Sequence, residues 1–473
     1  MRAWQAGRRA PDRTLPAPRR PCGVTEDELL ALADRVVARA LPGEELEAVV
    51  TWSHDTEIRA HGGEVEHFVE ADSAGLGVRV IRDGRQGLSW VGALDDEAAL
   101  AECVAEARDN AAFGTPDPDA GLAEPDGCAP MELELYDPRL FDVPTEEKVA
   151  MAVDLERRIL GADPRMVGLE SADYADSVAA SAIVSTTGVR ASGRETSAFL
   201  GSWALAGGDD ETTTGFGFSV ARAPQDLDAA AAADEAVRRC LSMLGASKAP
   251  SARLTVVLDP YVTSQVLSLV AELLSGEAVI RGRSAFADRV GESVAAPVVT
   301  LFDDPGDERA PTADDVDGEG LATRRVELLR DGILQGYLHN AYTGRSMGTA
   351  STGSAQRGSH RGGPGVGPRA IKLRPGAHTP EEVWAKVGDG LLVHEVSGLH
   401  SGVNPVSGDL SVGVEGNLLR GGEPGPPVRE VTIGSTLQRM LLDVVAVGDD
   451  LTYFPWESTG VTLAIADVTM SGT

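Results

Sequence analysis

The sequence predicts an α+β protein in two parts. An N-terminal α/β domain of hairpins and amphipathic helices precedes a C-terminal, mostly β domain of barrel or sandwich type. Three observations predict it. The chain has 473 residues, more than one ordinary core supports. Its first half alternates helical periodicity with strand pairs split by two-residue turns. Its second half has one clear helix, then short β-like runs separated by Gly, Pro and Asp.

Taken in order, residues 1–24 contain MRAWQAGRRAPDRTLPAPRRPC, rich in Arg and Pro and without the apolar stretch of a secretory leader. They read as a disordered tail, or as the result of a start codon placed too early. The N-terminal domain then spans 25–225 and the C-terminal domain 226–473. TEDELLALADRVVARAL (25–41) has a Thr cap, an acidic first turn and helical spacing. Gly62-Gly63 and Asp83-Gly84 each divide two alternating runs, the pattern of tight hairpins. Helices follow at 96–113 and 145–161, strands over 165–222, and an Ala-rich helix over 226–244. In the second half RLTVVLDP is a strand that feeds a helix at 260–274, and Asp331-Gly332 marks another hairpin. VREVTIG, VVAVGDDLT and VTLAIADVTMSG are closing strands.

Composition narrows the function. Net charge is −31, with 42% apolar and 24% charged residues, a soluble globular make-up. So acidic a chain repels phosphates, which argues against a nucleic-acid partner. Cysteines at 22, 103, 128 and 240 form no CxxC pair, which fits a reduced, cytoplasmic setting. No run of 18 apolar residues is present, so no membrane span is expected.

Several stretches carry the residue types of catalytic sites. LVHEVSGLHSGVNPVSGDLSVGVEG (392–416) places His394 beside Glu395 and His400 six residues on. On a helix these histidines would point about 120° apart. On a strand they would stand roughly 20 Å apart. Neither regular arrangement holds one zinc ion, although a loop could, which would keep catalysis with His394, Glu395 and His400; Gly398, Gly402 and Pro405 favour a loop. Gly344-Arg345-Ser346-Met347-Gly348 matches G-x-S-x-G, but the preceding strand ends near Leu338, too early for a nucleophile elbow. Phosphate-binding loops are missing. Asp303-Asp304 reads as an acidic strand-end turn before Pro305. Asp314-Asp315-Val316-Asp317-Gly318-Glu319-Gly320 lacks the spacing of a calcium loop and reads as a solvated turn.

Four stretches resemble one family as a set: SGEAVIRGRSAFADRVGESVAAPVVTLFDDP (275–305), DGEGLATRRVELLRDGILQGYLHNAYTGRSMG (317–348), STGSAQRG (351–358) and GLHSGVNPVSGDLSVGVEGNLL (398–419). They resemble the TldD/PmbA family, named historically for modulation of DNA gyrase. Its catalytic subunits carry His-Glu-x-x-x-His on the helix before the S-x-F stretch and a Cys near the C-terminus, which together bind zinc in a peptidase site. Aligned on Ser284-Ala285-Phe286, those positions are expected on Leu267, Ser268 and Ala271, and no Cys follows Cys240. A leucine cannot ligate zinc, and without a carboxylate nothing activates a water.

The resemblance therefore implies the PmbA (TldE) kind of subunit, with no catalytic residue, metal or other cofactor of its own. Zinc would sit in a TldD-like partner, the two would form a cytoplasmic heterodimer, and the substrate would be an unfolded protein or peptide precursor. The family loop containing Leu399, His400, Ser401, Gly402, Gly408 and Asp409 is the expected surface for substrate or partner. Arg369-Ala370 stands where the family usually has a Ser/Thr-Asn pair, which removes any role of that Asn. The alternative is a stand-alone, homodimeric peptide-binding protein without hydrolytic activity.

Overall fold

The computed structural model describes residues 24–208 and 211–472. The expected N-terminal tail lies outside them, apart from Val24. The first half is one antiparallel sheet of six long strands: β1 (Glu45–His61), β2 (Glu64–Arg82), β3 (Arg85–Val91), β4 (Met166–Ser185), β5 (Arg190–Gly208) and β6 (Glu211–Ala221). Their order is β3-β2-β1-β4-β5-β6. Both expected hairpins form, and Asp83 and Gly84 take the positive φ values of 52° and 70° that their turn requires.

Helices α1 (Glu26–Val37), α2 (Glu97–Phe113), α3 (Thr145–Ala162) and α4 (Ala229–Ser242) cover one face of this sheet. Thr25 and Glu28 form a capping box on α1, and Asp96 caps α2. Alternation places Leu46, Ala48 and Val50 of β1 under α1 and α2. Farther along the same strand, Ile58 and Ala60 lie under Leu155 and Ile159 of α3. The sequence division at 225/226 put α4 in the second half, whereas the helix packs on β5 and β6. Gly215 and Gly217 permit that contact. A Cβ at either would lie 2.4 or 2.0 Å from a carbonyl oxygen of α4.

The second half is β-rich, as expected, and closes as a barrel. Strand β7 (Ala252–Leu258) pairs in parallel with Gly390–Ser397 and antiparallel with Leu463–Ser471. Asp409–Arg420 and Glu423–Thr436 continue the sheet, and pairing of Glu423–Thr436 with Leu463–Ser471 closes five strands on themselves. Closure satisfies the strand edges that an open sheet would expose. Helix α5 (Pro260–Leu273), capped by Asp259, follows β7 and packs its apolar side into the barrel core.

The uncovered face of the N-terminal sheet meets the loops of the second half. Glu47 of β1 is paired with Arg79 of β2 at 3.0 Å and with Arg357 at 2.6 Å, and Arg79 lies 3.7 Å from Glu319. All four side chains are at most 7% exposed. Burial alone would raise the Glu47 carboxyl, yet the two guanidiniums hold it below its ordinary value. Segment 314–320, expected as a solvated turn, is instead a buried hub. Asp317 accepts N–H bonds from Glu319, Leu321 and Ala355 at 2.9–3.1 Å, and Glu319 accepts one from Ala341 at 2.8 Å. Its carboxylates replace solvent with backbone donors, which is why acidity misled the sequence reading.

Candidate functional site

A cleft of about 2050 Å³ lies between the uncovered sheet face and the second half. Its floor is made of small side chains of one parity, among them Thr51 and Ser53 of β1 and Ser177, Ala179 and Ser181 of β4. Alternation sends these residues away from the helices, and their small size leaves the volume open. Segments 308–318 and 357–361 form the opposite wall. His360 crosses to the sheet, where its Nδ1 lies 2.9 Å from Thr51 Oγ1. That approach requires glycine beneath it, because a Cβ at Gly77 would lie 1.7 Å from the His360 carbonyl oxygen.

Three arginines give the cleft polar anchors. Arg194 stacks 4.0 Å above the ring of Tyr136. Its Nε and Nη2 have no hydrogen-bond partner among the described residues. Arg222 donates to the Thr196 carbonyl at 3.2 Å, and Arg369 lies 3.2 Å from Asp314. Burial pushes the Asp314 carboxyl up to about 6, with Arg369 opposing the shift. Room, small walls and the charge of these arginines suit an extended polypeptide.

The positions that would carry zinc do not fit it. Leu267 is buried in the apolar core against the barrel, as is Ala271, but the spacing of His-Glu-x-x-x-His puts its second His at the exposed Glu272 and not, as expected, at Ala271. Ser268 donates to the Ser264 carbonyl or faces Ser458 Oγ at 2.8 Å. Among the described residues no three His, Cys, Asp or Glu side chains converge as a metal site.

His394 and His400 also stay apart in role. His394 occupies a bulge in Gly390–Ser397, with Nε2 3.1 Å from Asn417 and Nδ1 3.4 Å from Asp259. Glu395 is pushed up to about 7, first by burial and then by Asp259 and Glu415, while Arg239 opposes the shift. His400 is exposed on a single helical turn, Leu399–Gly402, entered through Gly398 at φ 82°. The six loop residues Leu399, His400, Ser401, Gly402, Gly408 and Asp409 lie in and beside the connection between Gly390–Ser397 and Asp409–Arg420. Asn404 donates to the Asp409 carbonyl at 2.8 Å and accepts from Gly408 at 2.7 Å. That loop lies at the barrel end and does not line the cleft. Ser346 closes a six-residue helix, Ala341–Ser346, in place of a nucleophile elbow. Asp303 ends its strand as expected, but it is buried and accepts the N–H groups of Arg369 and Ala370.

The cleft residues escaped the sequence reading because chain-distant segments build them. Thr51 and His360 are 309 residues apart. The one available signal was the run of small residues on one parity of β4.

Three family models match the chain in order. They are the PmbA/TldA metallopeptidase domain 1 over residues 46–111, the central domain over 138–244 and the C-terminal domain over 251–472. Metalloprotease PmbA of Escherichia coli O157:H7 is 27% identical over 408 residues, covering 86% of this chain and 87% of that protein. A metalloprotease TldD homolog of Haemophilus influenzae is 30% identical over 218 residues, 46% of this chain and 45% of its own length. The crystal structure of TldE from Thermococcus kodakarensis superposes with a TM-score of 0.84 at 22% identity, covering 94% of this chain and 99% of that one.

Proposed function

Because this chain belongs to the PmbA/TldD metallopeptidase family, we propose that it is the metal-free subunit of a two-component zinc peptidase acting on unfolded proteins or peptide precursors. One observation carries the reading. On α5 the family's His-Glu-x-x-x-His, counted from its first residue, falls on Leu267, Ser268 and Glu272, so the first His is replaced by a leucine sealed in the core and the Glu by a serine. Without both histidines and the Glu that serves as general base, α5 does not offer the family's means of activating a water. Zinc and catalysis belong to a TldD-like partner.

The work of this chain is then binding and enclosure. An extended peptide lies in the cleft over the small-residue floor. Arg194 and Arg369 line the cleft and set positive charge beside its carbonyl or carboxylate oxygens. Such contacts read backbone more than side chains, which suits unfolded substrates of varied sequence.

The test is reconstitution. The chain is purified alone and with a family member from the same genome that carries His-Glu-x-x-x-His. It should contain no stoichiometric zinc, form a 1:1 complex, and raise chelator-sensitive cleavage of unfolded protein above that of the partner alone. About one zinc per chain, or a partner equally fast by itself, overturns the reading.

A further inference from the structure

Strand β2 is much longer than its outer neighbour. It runs for 19 residues, but β3 pairs only with Leu76–Arg82. From Glu64 to Gly75 the strand bonds to β1 on one side, and among the described residues no strand pairs its other side. A long row of free N–H and C=O groups is a template for another strand.

The same stretch carries uncovered apolar surface. The register shift between Arg59 and Ala60 sets Val65 opposite Ala60 and Phe68 opposite Ile58. Paired residues share a face, so Val65 and Phe68 both lie on the helix side. There α3 buries Ile58 and Ala60, but Val65 and Phe68 remain 41% exposed. The apolar layer thus continues past its helix without a cover. Native sheets blunt idle edges by keeping them short or by placing Pro, charges or bulges on them, and of these the edge has one bulge and its carboxylates. This edge is long, has no Pro and displays a phenylalanine.

Charge selects the occupant. Glu64, Glu66, Glu70 and Asp72 are exposed along the edge, and no Lys or Arg occurs between Arg59 and Arg79. Pairing with the same edge of a second copy would set four carboxylates against four, and like charges opposed across strands destabilise. We propose that this edge docks an extended segment of a non-identical subunit, one bearing Lys or Arg beside apolar residues. Its backbone completes the ladder on β2, its cations meet the carboxylates, and its apolar side chains cover Val65 and Phe68. The edge ends at Asp72, Ser73 and Ala74, which line the cleft, so the docked segment reaches the cleft rim. The proposal rests on the two-subunit reading and names the surface that reading needs.

Amide hydrogen exchange of the chain, alone and mixed with the His-Glu-x-x-x-His family member, tests it, together with the E66K/E70K and E66Q/E70Q variants. Amides of 64–75 should become protected in the complex. E66K/E70K should weaken binding about tenfold or more, E66Q/E70Q should weaken it less, and both should keep the parent's thermal melt. A complex in which 64–75 exchanges as in the free chain, or which E66K/E70K joins within about twofold, overturns the proposal and leaves the two-subunit reading standing. Concentration-dependent protection of 64–75 in the chain alone overturns it in favour of a second copy. If the parent forms no complex, the two-subunit reading itself fails.

Discussion

His394 and Glu395 are neighbours in sequence with separate duties. The histidine is held by Asp259 and Asn417, a structural arrangement. With a catalytic partner, His394→Ala and His400→Ala should leave peptide cleavage within a few-fold of the parent. A loss near a thousandfold would return a catalytic role to them. Glu395 holds its proton up to about pH 7 in the folded chain, against an ordinary value of 4.5. The folded state therefore binds more protons than the unfolded state between those values. This group's contribution to stability falls as pH rises through that window, and the cost of the buried charge is complete above pH 7. Glu395→Gln should gain about 1–3 kcal/mol over the parent at pH 8 and little at pH 4.5. Urea unfolding at the two pH values measures this, and an equal difference at both would exclude titration as the cause.

At the scale of elements, glycine placement decides which surfaces touch. β2 receives the 357–361 segment only because Gly75 and Gly77 present no side chain under His360. The obstacle to a Cβ at Gly77 is a backbone carbonyl, which cannot swing aside as a flexible side chain can. Gly77→Ala should cost about 3 kcal/mol or more and lower the protection of the 357–361 amides, while the barrel amides remain protected. Helix α5 shows the reverse case. Its apolar residues at helical spacing forecast both its range and its burial, so Leu267 and Ala271 were readable as core before any coordinates.

For the whole molecule, the Glu47–Arg79–Arg357–Glu319 cluster joins the two halves, with Arg357 on Glu47 and Glu319 beside Arg79 across them. Removing one partner of a buried ionic group leaves the others desolvated. Arg357→Ala should destabilise by about 3 kcal/mol and split one unfolding transition into two, followed by separate probes in the sheet and the barrel. A single transition with unchanged midpoint would show that the cluster does not couple the halves. No described helix is long and apolar enough to cross a membrane.

Sequence by itself determined the elements, because hairpin turns, caps and hydrophobic period are local. It also determined what α5 lacks, since an absent ligand is legible at one position once the family's motif is aligned. Tertiary structure decided the rest. It alone moved α4 onto the N-terminal sheet through close approach to Gly215 and Gly217. It alone buried Asp317 and Glu319, whose acidity had suggested solvent, because their partners are backbone N–H groups and arginines far along the chain. And it alone assembled the cleft, whose floor and wall come from segments about 300 residues apart, a separation that no local pattern encodes.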